Sequence, residues 1–188
     1  MTRSALLEMT PERIETATGD AKSMLEDIKA KMGFVPNMYA YMAKLPGVLE
    51  GYLSTYEAFR ETAGFTPAEQ EVVFLVISRF NGCTYCMAAH SMLADKVSGV
   101  PADVLAAVRA GEPLPDEKLQ ALATFTETMV DTRGNPDRPA IDAFLAAGYG
   151  EQQILGIVLA IACKTFSNYV NHLAGTPVDD RFADYKVD

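Results

Sequence analysis

The sequence predicts an all-α protein, a helical bundle forming one domain across residues 1–188. Apolar residues recur at spacings of three and four almost throughout. Glycines, prolines and capping residues punctuate the ends of each periodic stretch, and no pair of alternating runs offers a strand partner.

Ala21, Met24, Leu25, Ile28 and Met32 make a first helical stripe, stopped at Gly33. Val35-Pro36-Asn37 breaks the chain before a short helical piece from Met38 to Lys44. Pro46 suits a first helical turn, and Val48, Leu49, Tyr52, Leu53, Tyr56 and Phe59 form one apolar stripe closed by Gly64. Thr66-Pro67-Ala68-Glu69 reads as a capping box with proline at the first helical position. The run that follows, from Val72 to Ile77, is apolar all round and β-branched. A buried strand is its rival reading, and the capping box decides for a helix. Asn81-Gly82 ends it, and a further helix is expected from about Cys83 to Val97, before Gly99. Starts follow at Pro101, Pro115 and Pro139, with stops near Gly111, Val130 and Gly148, and a last long helix covers about Glu151 to Leu173. The polar tail from Asp179 to Asp188 is expected to pack loosely or to lie against a neighbouring subunit.

At an offset of 82 residues, Glu69-Gln70 overlays Glu151-Gln152, the apolar run from Val72 overlays that from Ile154, and His90 overlays His172. An internal duplication of helical hairpins fits this overlay, with repeat halves at about 46–100 and 115–175. The general likeness of apolar helices fits it as well.

Hydrophobic residues make up 49% and charged residues 22%, the balance of an ordinary globular chain rather than a disordered or fibrous one. Sixteen cations against 25 carboxylates leave a net charge of −9, which repels phosphate backbones and anionic lipid. Neither nucleic acid nor membrane is therefore an expected partner. No uninterrupted apolar run approaches the roughly 18 residues of a bilayer span. The first residues lack the apolar core of a secretory signal, so the expected location is the cytoplasm. Three cysteines in a reducing compartment do not make a disulfide framework.

Their chemistry lies elsewhere, in the stretch from Asn81 to His90. With a helix opening at Cys83, that thiol sits at the cap, Cys86 lies one turn in on the same side, and His90 one turn further. The positive end of a helix dipole and its free N–H groups favour thiolate over thiol. The two-residue gap brings both sulfurs within reach of a reversible disulfide, and an imidazole one turn away can accept or relay a proton. Two other readings stand beside redox chemistry. The thiols can be small buried hydrophobes beside a satisfied core histidine, or Cys83, Cys86 and His90 can be three zinc ligands, with His172 as the fourth. A thioredoxin-type domain needs a βαβ context that this chain lacks. Cys163, inside an apolar run, reads as core, and Asn168, Asn171 and His172 read as a structural hydrogen-bonding cluster.

The segment from Glu71 through Cys83 and Cys86 to His90 resembles the active-site signature of the alkyl hydroperoxidase D-like proteins, the peroxidase-related branch of the carboxymuconolactone decarboxylase superfamily. That pattern is a glutamate, a cysteine twelve residues on, a second three further and a histidine four after that, and it is met here without a gap. Gly33-Phe34-Val35-Pro36-Asn37-Met38 and the stretch from Asn168 to Pro177 are similar to the same branch. The resemblance implies an all-helical fold, often internally duplicated, assembled as trimers or hexamers; the expected chemistry uses no cofactor or metal. It implies Cys86 as the peroxide-attacking thiolate, Cys83 as the resolving thiol, and Glu71 with His90 as the proton relay. A lipoyl group or a thioredoxin-like protein would be the dithiol reductant. One position departs from the pattern: a histidine usually precedes the second cysteine, and here it is Tyr85, whose phenol, with a pKa near 10, is a poor base.

The reading is thus a thiol-dependent oxidoreductase that reduces hydroperoxides. Its rivals are a carboxymuconolactone decarboxylase-like enzyme on the same fold and a non-catalytic redox-sensing helical module. Glu71 is the site residue that spacing alone does not join to the others. Helix rise puts it about 16 Å from Gly82, whereas His90 lies only about 10 Å from Cys83, so the two meet only if their helices cross suitably.

Overall fold

The computed structural model describes residues 5–187. Nine α-helices follow one another among them: α1 (Gly19–Met32), α2 (Asn37–Met42), α3 (Pro46–Thr62), α4 (Pro67–Phe80), α5 (Thr84–Lys96), α6 (Ala102–Ala110), α7 (Glu117–Asp131), α8 (Arg138–Ala146) and α9 (Glu151–Ala174). A 3-10 helix, Asp180–Tyr185, closes the chain. No strand occurs among the described residues, as the periodicity predicts.

The all-round apolar run is α4, every residue of which from Glu69 to Ser78 is buried. It is the axis of the bundle, flanked by α5, α6, α7 and α9. Its helical state follows from its start. Thr66 Oγ1 accepts from the Glu69 N–H at 3.3 Å, and Glu69 Oε2 accepts from the Thr66 N–H at 2.8 Å, so two orphan donors of the first turn are satisfied. Phe74 is the aromatic hub, with Phe59 at 4.6 Å, the ring of Tyr56 stacked at 5.7 Å and His90 at 4.8 Å.

A left-handed residue turns α4 into α5. Gly82 has φ 68°, a conformation that costs a side-chain-bearing residue dearly, and the Cys83 N–H then closes the turn onto the Ser78 carbonyl at 2.9 Å. The stretch that overlays this hairpin at an offset of 82 runs unbroken as α9, and Lys164 stands where Gly82 does. By length and composition α9 could cross a bilayer. It is instead a core helix, packed on α2, α3, α4, α5 and α7 and burying Lys164, Asn168 and Asn171 along its inner side. Its Gly156 lets α3 close in: a Cβ there would lie 2.8 Å from that of Ala63.

The C-terminal tail corrects an expectation. Within the described residues it is neither loose nor free; Asp188 lies outside them. Phe182 is buried edge-on against Tyr85 and near Phe34. The Asp179 carboxylate accepts from the Tyr85 hydroxyl at 2.6 Å and from the Asn37 N–H at 3.1 Å. Arg109 donates to the Tyr185 carbonyl at 3.0 Å. One buried aromatic and one buried carboxylate outweigh the polar character that suggested a loose end.

Tyr85→Phe removes the hydroxyl donor to a buried carboxylate, and a bond of this charged kind contributes about 2 kcal/mol. Urea unfolding should show a loss of that size, and limited proteolysis should cut the tail after Asp179 faster than in the parent protein. A tail equally resistant in both would contradict this anchoring.

Candidate active site

Cys83 takes the N-cap position of α5. Its sulfur accepts from the Cys86 N–H at 3.5 Å, so both thiols sit in the opening turn, at the positive end of the helix dipole. The two cysteines are unbonded and almost fully buried, at 1% and 2% exposure. They differ in outlook. Cys86 lines a cleft of about 680 Å³ together with His90, Lys164 and Arg60, whereas Cys83 lies behind it. The walls are mainly aromatic and apolar, including Phe34, Tyr39, Tyr52, Tyr56 and Phe182.

The antiparallel crossing of α4 and α5 brings Glu71 to His90. Glu71 Oε2 lies 2.7 Å from His90 Nδ1, and Oε1 accepts from Arg60 of α3 at 2.5 Å. His90 Nε2 contacts the Lys164 ammonium. Lysine can only donate, so Nε2 accepts, the ring proton sits on Nδ1, and that N–H donates to Glu71. The hydrogen bonds of His90 therefore run to a carboxylate and an ammonium, not to a thiol. This also bears on zinc: the third local ligand is turned toward Glu71 and Lys164, and among the described residues no group of three or more His, Cys, Asp and Glu side chains is arranged to hold a metal ion.

Electrostatics separate the two thiols. Burial by itself raises the Cys86 thiol. A hydrogen bond from Cys83, the charge of Lys164 and the nearby polar side chains of Ser167 and Asn168 outweigh burial and bring the pKa down to about 6. Cys83 moves the other way, pushed well above the usual thiol range by its hydrogen bond to Cys86 and by burial. Asn171 Nδ2 approaches both sulfurs, at 3.3 Å from Cys86 and 3.6 Å from Cys83. Burial and the Lys164 charge push His90 down to about 4, despite the Glu71 carboxylate beside it. Burial would raise Glu71, but His90 and Arg60 hold it below the usual carboxylate range. Cys163 is raised to about 11 by burial.

Cys83 thus joins Cys86, Glu71 joins His90, and Cys86 and His90 line the same cleft. Tyr85 serves elsewhere, as the tail's anchor, and burial with the Asp179 carboxylate raises its phenol further, so it is no base. Sequence reasoning passed over Arg60 and Lys164. The signal for Lys164 was present: it continues the buried face of α9 through Ile157 and Ala160 at helical spacing, and a cation on such a face is seldom buried unpaired. Asn168 and Asn171, read as structural, supply amides to the thiol pocket instead.

Residues 46–127 match the family model described as Carboxymuconolactone decarboxylase family. No curated protein matches the chain. Among solved structures it is similar to an uncharacterized peroxidase-related protein from Ralstonia eutropha JMP134 described as an alkylhydroperoxidase AhpD core, with a TM-score of 0.81, 19% identity and 95% of both chains covered. A peroxidase-related protein from Silicibacter sp. TM1040 gives 0.75 and 19%, covering 95% of this chain and 93% of that one. The debrominase Bmp8 gives 0.76 and 17%, with 95% of each chain covered. A cysteine-to-alanine variant of Bmp8 is known in complex with 2,3,4-tribromopyrrole. The chain thus has the all-helical fold of these structures, and its residues 46–127 match the carboxymuconolactone decarboxylase family model.

Proposed function

We propose that the protein is a thiol-dependent oxidoreductase that reduces organic hydroperoxides at Cys86. The observation that carries this reading is the asymmetry of the vicinal pair: an acidified thiol opening on an apolar cleft, with a second thiol held protonated directly behind it. The Cys86 thiolate attacks the distal oxygen of R–O–O–H. A sulfur–oxygen bond forms, the O–O bond breaks, and the products are a sulfenic acid and, after protonation, the alcohol R–OH. Cys83 then attacks the sulfenic sulfur, water leaves and a disulfide remains. An external dithiol, a lipoyl group or a thioredoxin-like protein, restores both thiols. Burial and the Lys164 charge keep His90 neutral, and Glu71 orients its ring as the fixed end of the proton relay.

A cleft of about 680 Å³ with aromatic walls favours a bulky apolar hydroperoxide over hydrogen peroxide. The same walls support a second reading, suggested by the debrominase of like fold. In it a halogenated aromatic gives up halide, by the balance R–Br + 2 Cys–SH → R–H + cystine + HBr. The decarboxylase reading has no use for a vicinal dithiol, and a sensor would hold the disulfide without turnover. We further propose that the protein works in the cytoplasm as a homo-oligomer, a trimer or hexamer, because Leu155, Val158, Tyr169 and Leu173 form an exposed stripe along α9.

Alkylation by iodoacetamide, followed by peptide mapping, should show Cys86 reactivity rising with pH through a midpoint near 6, because the thiolate is the reactive form. Cys163 should follow only near pH 11. A Cys86 midpoint at the ordinary value of about 8.5 would sink the nucleophile assignment. With cumene hydroperoxide and a dithiol, Cys86→Ser should abolish turnover and Cys163→Ser should leave it intact. Cys83→Ser should stop at a sulfenic acid that dimedone traps. Replacing Tyr169 by glutamate should lower the mass found by light scattering if α9 is the subunit contact.

A further inference from the structure

We propose that Lys164 is a catalytic residue: its ammonium holds Cys86 as a thiolate, and its proton goes to the oxygen that leaves when that thiolate attacks a hydroperoxide. The inference deepens the preceding reading and rests on it. Lys164 belongs to α9, outside the family-matched segment 46–127, so neither the signature nor the match assigns it a role.

Burying an ammonium is costly, and Lys164 is 0% exposed. Its Nζ stacks on the Phe74 ring at 4.4 Å and makes one hydrogen bond among the described residues, to His90 Nε2. A lysine has three donors, so two N–H groups have no protein acceptor there. They belong to a side chain lining the cleft onto which Cys86 opens. The charge balance leads to the same place. Arg60 and Glu71 neutralise each other, and His90 is neutral. Lys164 is then one buried positive charge without a buried counter-ion, and the adjacent thiol supplies it by ionising.

Other titratable groups around the cleft do not offer that counter-charge. Tyr39, Tyr52 and Tyr56 are held neutral by burial, as is Cys163 beside Lys164 on α9. Cys83 stays protonated by its bond to Cys86. Asp27, Lys31, Glu57, Glu61 and Arg181 line the rim as exposed, solvent-screened charges.

The step balances as Cys86–S⁻ + R–O–O–H + Lys164–NH₃⁺ → Cys86–S–OH + R–OH + Lys164–NH₂. Sulfur gives up two electrons, and the O–O bond accepts them. Disulfide formation releases water with no net proton. When the external dithiol regenerates Cys86–SH, its proton passes to the Lys164 amine, which restores thiolate and ammonium together. Neutral His90, its Nδ1–H fixed by Glu71, accepts from Lys164 throughout and holds the amine in place.

The test compares reduced wild type, Lys164→Met and Lys164→Arg in two assays. In the first, iodoacetamide alkylation of Cys86 is followed against pH. The Met variant should move the midpoint upward, and the Arg variant, which keeps the charge, should hold it low. In the second, single-turnover oxidation is measured with tert-butyl hydroperoxide, whose alkoxide needs a proton to leave, and with peracetic acid, whose acetate does not. At pH values where Cys86 is fully ionised in each protein, Lys164→Met should lose about 100-fold with the first oxidant and far less with the second, the scale of a lost general acid. An unchanged alkylation midpoint with equal losses for both oxidants would overturn the proposal. If the Met variant does not fold, wild type decides alone. Its rates across hydroperoxides of graded leaving-group acidity should vary less steeply than those of a free thiol, and an equally steep dependence overturns proton donation. Failure of the underlying reading looks different: wild type then alkylates at low pH but is oxidised by neither peroxide.

Discussion

A carboxylate buried in the centre of a helical bundle must find cationic or hydrogen-bonding partners, and Glu71 finds them on two neighbouring helices. Arg60 reaches it from α3 and His90 from α5, while Lys164 of α9 engages the far side of the same imidazole. Four helices are thereby tied to one chain of polar atoms inside hydrocarbon. Removing Glu71 would leave the Arg60 charge without its partner, and removing Arg60 would leave a buried carboxylate without its cation, so the pair constrains how α3 and α4 pack. Phe74, stacked between these groups, shields them from water and receives Lys164 on its face.

This network also explains how a thiol far from solvent becomes acidic. Desolvation works against a thiolate, and the helix N-terminus alone seldom overcomes it. Here the counterweight is assembled from separate parts of the chain: the Cys83 hydrogen bond from the same turn, and the charge of Lys164 with the side chains of Ser167 and Asn168 from α9. The imidazole that sits nearest in sequence does not touch the thiol. It is committed to Glu71 and Lys164.

The site and its cover are built from opposite ends of the chain. Residues of α1 to α3 line one wall of the cleft, the opening turn of α5 forms its floor, and the C-terminal 3-10 helix brings Arg181 and Phe182 to its edge. Tyr85, between the two cysteines, fastens that edge by donating to Asp179. The residue where the resemblance departs from the usual pattern thus has a structural employment, as the anchor of Asp179.

The helices, their order and the vicinal thiols were legible in the sequence, because each depends on neighbours a few residues away. The Thr66–Glu69 box, the left-handed turn at Gly82 and the one-turn spacing of Cys83, Cys86 and His90 are local facts of backbone geometry. Helix starts shifted by one or two residues where Asp116, just after Pro115, and Asp137, two residues before Pro139, supply the caps. The meeting of Glu71 with His90 was beyond local reasoning, since helix rise alone left it undecided and the crossing of α4 on α5 settles it. The same holds for Lys164 and Asn171: a periodicity argument assigns them to the buried face of α9 but not to what that face meets. Charge pairing in a low-dielectric interior is a property of three-dimensional neighbours, so the sequence by itself determined which residues could do thiol chemistry, and only the packing of α3, α5 and α9 around α4 decided which of them stand together.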